Sequence, residues 1–160
     1  MKLAGKTDVG RVRQDNQDDY RAGELPGDAA WLLVCDGMGG ANGGEIASET
    51  AVKSIEEQIL ASYEEDFKSE EMKRMLSTLI FHANSAVYDM AQENESLKGM
   101  GTTIVVAIVL DNVAHIAHAG DSRAYLLHNG NIMQITTDHS MVQELIKNGD
   151  LTVEQAKVHP

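Results

Sequence analysis

Residues 29–44 read AAWLLVCDGMGGANGG. A short, continuous apolar run that follows the turn sequence Leu25-Pro26-Gly27-Asp28 reads as a buried strand. It gives way to Asp36 and then to five glycines between positions 37 and 44. An acid delivered to the end of a strand and followed by glycine poses a choice. Either Asp36 holds a metal or a phosphate, or it caps a flexible turn.

The rest of the chain fixes the fold class. From Glu45 the apolar spacing becomes helical, with Ile46, Ala47, Thr50, Ala51, Ile55 and Ile59 close to one face. A second helix is predicted from near Ser69. Its Met72, Met75, Leu76, Leu79, Ala83, Ala86, Val87 and Met90 recur at three and four residues, a stripe best read as core packing. Gly99 and Gly101 end it, and TTIVVAIVL, VAHIAHA and SRAYLLH then read as strands. Asn129-Gly130 is a hairpin signal, with NIMQIT as the returning strand. Ser140 with Gln143 and Thr152 with Gln155 begin two terminal helices, and Gly149 stops the first. Helices followed by an antiparallel meander predict an α+β fold, not a doubly wound parallel sheet.

Composition narrows the class of function. A length of 160 residues predicts one domain with a proper core. The net charge of -12 argues against a nucleic-acid surface, which needs clustered Lys and Arg. The only cysteine, Cys35, cannot form an internal disulfide and reads as a small buried residue. The amino terminus lacks the apolar stretch of a secretory signal, and IVVAIVL at 104–110 is too short to span a bilayer. A soluble cytoplasmic protein without membrane association is the expectation.

Several simple motifs fail. Gly39 and Gly44 have phosphate-loop spacing, but Glu45 and Ile46 stand where Lys and Ser/Thr are required. No βαβ unit supports a dinucleotide fingerprint. DNQDD at 15–19 would put Tyr20 and Pro26 where a calcium loop needs Gly and Glu. GDSRA at 120–124 lacks the final glycine of a nucleophile elbow. His115 and His118, three apart in a strand, should point to opposite faces. What remains is a set of carboxylates on loops and strand ends: Asp18, Asp19, Asp36 and Asp121. Such oxygen donors suit Mg²⁺ or Mn²⁺, two of which can activate water and clamp a phosphoryl group. Arg13 offers a planar fork for phosphate oxygens.

Five strings in order extend this reading: VRQDNQDDY, VCDGMGG, GMGTT, HAGDSRAYLL and TTDHSMVQELIKNGDLT, followed by a final HP. Together they resemble the metal-dependent PPM/PP2C-type serine/threonine protein phosphatases, especially the compact bacterial ones. The resemblance implies a PP2C-like β-sandwich of two antiparallel sheets flanked by helices, incomplete at the carboxyl end. Residues 1–160 would be the amino-terminal part of one such domain. It also implies roles. Asp36 bridges two Mn²⁺ or Mg²⁺ ions, Gly37 gives one of them its carbonyl, Asp18 helps hold metal-bound water, and Arg13 binds the phosphate. Asp121 ligates a third, weaker ion in bacterial members. The implied reaction is in-line attack on phosphoserine or phosphothreonine by a metal-bridging water. Implied substrates are phosphorylated proteins, targets of a bacterial Ser/Thr kinase.

Two departures from the family pattern stand out. Asn16-Gln17-Asp18 replaces the usual N-E-D, so an outer carboxylate becomes an amide, and a tuned or weakened metal site is expected. Met38 replaces the histidine found here in animal relatives. The later Asp-Gly and Asp-Asn elements that complete the metal cage are absent from these residues. The competing reading is therefore a non-catalytic fragment or pseudophosphatase that binds phosphoproteins or partners. Unpaired strand edges would favour its dimerisation or strand exchange. Asp15 and Asp19 read as solvated neighbours, and His139 as an anchor for the last helices.

Overall fold

A computed structural model describes residues 1–156, apart from the side chains of residues 41, 42 and 153. The terminal His-Pro element lies outside the described residues. The chain runs β1 (Asp18–Leu25), β2 (Ala29–Met38), α1 (Gly40–Ser62), α2 (Ser69–Glu93), β3 (Gly101–Thr102), β4 (Ile104–Leu110) and β5 (Val113–Ala119). Then come β6 (Tyr125–His128), β7 (Asn131–Gln134), α3 (Met141–Asn148) and α4 (Val153–Ala156). The main sheet has the order β1-β2-β4-β5, with β3 added to β2, and β6-β7 forms a second sheet. Every pairing is antiparallel. The expected α+β class with two antiparallel sheets and helices is what forms.

Alternation along β2 organises the molecule. Trp31, Leu33 and Cys35 face the helices, and their strand neighbours Ile104, Val106 and Ile108 join them. Against them pack Ala47, Ala51, Val52, Ile55 and Ile59 of α1 and Met72, Met75, Leu76, Leu79, Ala83 and Val87 of α2. The methionine stripe is thus core, except at Met90, which is 38% exposed and accepts a weak bond from the Thr50 hydroxyl. The odd-numbered residues of β2 are covered by helices; the even-numbered ones are not. Leu32 is half-buried, Val34 is 46% exposed, and Asp36 continues that row.

The apolar run is therefore buried on both faces only at its start, where Ala30 is 0% exposed, and on the helix face alone from Leu32 onward. Three further boundaries differ from expectation. Strand β1 over Asp18–Leu25 has no counterpart in the sequence reading, because an edge strand with polar residues on both faces lacks an apolar period. The glycine stretch is not a loop leading to a helix at Glu45; α1 begins at Gly40 and absorbs it. SRAYLLH is a strand only from Tyr125, and its hairpin forms its own sheet instead of extending the meander. There the Arg123 guanidinium binds Asp138 and the Ala124 N–H donates to the Thr136 hydroxyl, while the Ala124 carbonyl still accepts the Ile135 N–H at 2.8 Å. Near the carboxyl end the caps form as expected. Ser140 accepts from the Gln143 N–H, Gly149 takes φ 83°, and Thr152 and Gln155 bond reciprocally.

The β6-β7 hairpin is apolar on both sides and exposed throughout, with Leu127 at 72% and Ile132 at 70%. Cross-strand pairing puts Leu127 beside Ile132 on one face and Leu126 beside Met133 on the other.

Leu33 is 1% exposed in the centre of the core. Leu33→Ala should lower unfolding free energy by about 2–5 kcal/mol, read in urea through the single, buried Trp31. A loss below about 1 kcal/mol would contradict the core described. Burial, aided by the nearby Asp19 charge, pushes the Cys35 thiol up to about 12. It should therefore resist a thiol reagent at pH near 8 until denaturant is added. Rapid labelling of the folded chain would show the β2–α1 contact to be open.

Candidate metal centre

Two strand ends make the site. Asp18 opens β1 and Asp36 lies near the end of β2, and the two are direct partners in the ladder. Directly opposed residues share a face, so both carboxylates stand on the side of the sheet turned from the helices. The main chain of Asp36 is held from both directions. Its N–H donates to the Thr103 hydroxyl at 3.0 Å. Its carbonyl accepts from the Thr103 N–H at 2.9 Å and from the Thr102 hydroxyl at 3.0 Å. One residue on, the Gly37 N–H donates to the Gln17 carbonyl at 3.1 Å, which also accepts from the buried Ser48 hydroxyl at 2.7 Å. The backbone is fixed, and the carboxylates project from it.

Their environment raises the Asp36 carboxyl above its ordinary 3.8. Desolvation is the largest cause, followed by the Asp18 charge, a hydrogen bond shared with Asp18, and the Asp121 charge. Arg13 acts in the opposite sense. Four of the residues singled out by sequence, Arg13, Asp18, Asp36 and Asp121, thus meet within one electrostatic neighbourhood. Among the described residues, no three His, Cys, Asp or Glu side chains converge to enclose an ion. The donor chemistry still fits a hard divalent cation. Mg²⁺ in particular often binds through one or two carboxylates and keeps several waters. A cation beside Asp18 and Asp36 would also relieve the repulsion that raises the carboxyl.

Glycine is required here for close approach. A Cβ on Gly37 would overlap the Gly44 carbonyl and lie 2.6 Å from the Gln17 carbonyl oxygen. One on Gly44 would strike the Gln17 side chain. The glycines after Asp36 thus let the start of α1 pack directly on the acidic strand pair. Gln17 takes part in that packing: its amide donates to the Gly40 carbonyl at 2.8 Å. A carboxylate in its place has no donor for that bond. The amide in the N-E-D position therefore serves the start of α1.

Other nominated residues fall outside the acidic pair. Asp19 forms a 2.7 Å ion pair with Arg21, and Asp15 is exposed. His115 lies opposite Ile108 and His118 opposite Val105, on opposite faces as expected. His139 stacks on His118 at 4.4 Å and bonds Gly120 through its N–H. That contact anchors the segment before α3. Spacing did not single out Thr102, Thr103 or the Arg123–Asp138 pair. Their strings were visible in GMGTT, GDSR and TTDHS, but only the fold shows what they touch.

The raised carboxyl has a consequence for stability. A folded pKa above the unfolded one favours folding when Asp36 is protonated. That contribution is complete below 3.8 and is lost as pH rises through the folded value. Without added metal, Asp36→Asn should therefore raise the urea midpoint at neutral pH, with a gain that shrinks to nothing in acid. A lower midpoint at neutral pH would show that the carboxylate is not crowded.

Comparison with known proteins matches this geometry to a family. The family model for protein phosphatase 2C matches residues 9–153. The chain is similar to the serine/threonine phosphatase stp of Listeria welshimeri, 37% identical over 163 residues, covering 100% of this chain and 63% of that protein. Among solved structures, serine/threonine phosphatase Stp1 from Staphylococcus aureus superposes with a TM-score of 0.88 at 37% identity, over 97% of this chain and 60% of that one. The catalytic domain of the phosphatase PstP, in complex with 2 manganese ions, gives 0.76 at 35% identity, over 94% and 61%. The chain thus spans less than two thirds of the relatives it matches, and corresponds to their amino-terminal part. With the family model matching most of its length and its fold superposing on these phosphatases, the chain belongs to the protein phosphatase 2C family.

Proposed function

We propose that residues 1–160 are the amino-terminal part of one phosphatase domain, whose parent hydrolyses phosphoserine and phosphothreonine in proteins. The observation that carries this reading is the Asp18–Asp36 pair, with the charges of Asp121 and Arg13 acting on it. Asp36 and Asp18 would hold two Mn²⁺ or Mg²⁺ ions with the Gly37 carbonyl, and Asp121 a third, weaker one. Bound metal would supply Lewis acidity and a lowered water pKa. The chain's own contributions are positional. The strand pair fixes the carboxylates in advance, and Arg13 orients phosphate oxygens through its planar fork. The manganese complex of the PstP domain supports the choice of ion.

Phosphoproteins made by a bacterial Ser/Thr kinase are the proposed substrates, in the cytoplasm. No helix among the described residues is long and apolar enough to cross a membrane. A second reading has its own support. Because no three side-chain ligands of a metal converge among the described residues, the chain alone would act as a non-catalytic, phosphoprotein-binding fragment. The exposed β6-β7 hairpin would then favour dimerisation or strand exchange.

Hydrolysis of p-nitrophenyl phosphate with and without Mn²⁺ separates the two. The catalytic reading predicts Mn²⁺-dependent turnover that falls to background in Asp36→Asn. No turnover by this chain, with activity in a longer version carrying the same residues, would establish the fragment reading. Turnover that survives Asp36→Asn would overturn the site.

A further inference from the structure

The acids that meet at the site come from three places: the starts and ends of β1 and β2, and the loop after β5. The ladder accounts for Asp18 and Asp36. Nothing in the ladder holds Asp121, which lies in the Gly120–Ser122 bend between β5 and β6. We propose that the Thr103–Ser122 hydroxyl pair is a latch that positions the Asp121 loop against Asp36. This rests on the metal-site reading above.

The geometry is specific. Thr103 is buried, and its Oγ1 lies 2.6 Å from Ser122 Oγ. The same Oγ1 accepts the Asp36 N–H at 3.0 Å, while the Thr103 N–H donates to the Asp36 carbonyl at 2.9 Å. One residue therefore bonds the backbone of Asp36 on both sides and the residue next to Asp121. A hydroxyl can accept and donate at once, which is what this place requires. The loop is also pressed onto Thr103. A Cβ on Gly120 would come within 2.7 Å of the Thr103 methyl, at a φ of 101° that favours glycine. From the other side, the His139 N–H donates to the Gly120 carbonyl at 2.9 Å. The Asp121 loop is gripped between Thr103 and His139, and only the Thr103 contact leads on to Asp36.

Thr103 and Ser122 act through Asp36 and the Asp121 loop, and so are positioning residues. Such supporting bonds typically change metal affinity by about 10- to 100-fold. Ser122→Ala cuts only the link between the two loops and leaves the Asp36–Thr103 bonds in place. Ser122→Thr keeps the hydroxyl and should rescue.

The test uses this chain in two measurements. Mn²⁺ binding, read by loss of the free-ion electron paramagnetic resonance signal, should weaken about 10-fold in Ser122→Ala, with an unchanged unfolding midpoint and recovery in Ser122→Thr. Without metal, amide hydrogen exchange in Ser122→Ala should quicken at Gly120–Ser122 and at Asp36, leaving the α1 core unchanged. Equal Mn²⁺ affinity in wild type and Ser122→Ala, or unchanged exchange at both loops, would overturn the latch. Failure of the wild-type chain to bind Mn²⁺ would instead count against the metal-site reading, while the exchange data still decide the latch. If Thr103→Val, which removes the shared hydroxyl, left exchange at Asp121 untouched, the latch would fail as well.

Discussion

Two carboxylates of like charge, side by side on one face of an antiparallel pair, are the constraint around which this molecule is arranged. Cross-strand neighbours of like charge are unfavourable, and β1 and β2 nevertheless place Asp18 directly against Asp36. The sheet tolerates this because the rest of the pair is anchored independently. Trp31, Leu33 and Cys35 are buried under α1 and α2, and the main chain on either side of Asp36 is bonded to Thr102, Thr103 and Gln17. Core packing thus offsets the repulsion between the two acids. The cost of bringing the acids together is met by folding, so a cation binding there would find them already in place.

The same strand shows how fold and site share residues. Alternate positions of β2 divide the labour, odd ones to the core and even ones to the open face, and Asp36 falls on the open face by parity alone. A register slip of one residue would turn Asp36 into the core and expose Leu33. The glycines that follow serve contact: Gly37 and Gly44 let α1 close onto the Gln17 backbone and side chain, with no room for a Cβ. What first reads as a flexible turn is a tightly packed junction.

Much of this was legible in the sequence, and the losses are instructive. Both long helices, the strand at 104–110, the Asn129-Gly130 hairpin and the caps at Ser140 and Thr152 carry local signals of spacing or turn chemistry, and each formed. Strand β1 carries no signal of its own because DDYRAGEL has no apolar period; it becomes a strand through the partner it meets. Helical spacing begins at Glu45, five residues after the start of α1, because glycine is a poor helix former in isolation, whereas here close packing decides. Asp18, Asp36, Asp121 and Arg13, which the sequence singles out, lie near one another in the fold, each of the other three acting on the Asp36 charge. The hydroxyls that fix Asp36 are not singled out, since threonines in a GMGTT string carry no spacing that distinguishes a bond to a distant strand. The β6-β7 hairpin keeps apolar faces exposed on both sides, which no local pattern could have foretold.

The proposed site makes Asp18 and Asp36 the anchor of a divalent cation. Paramagnetic broadening of amide resonances during an Mn²⁺ titration tests it most directly. The account predicts that signals of residues 17–19, 36–38 and 120–122 vanish first, at sub-stoichiometric ion, and that Asp36→Asn abolishes this pattern. Broadening spread over the acidic surface, or unchanged in Asp36→Asn, would contradict it.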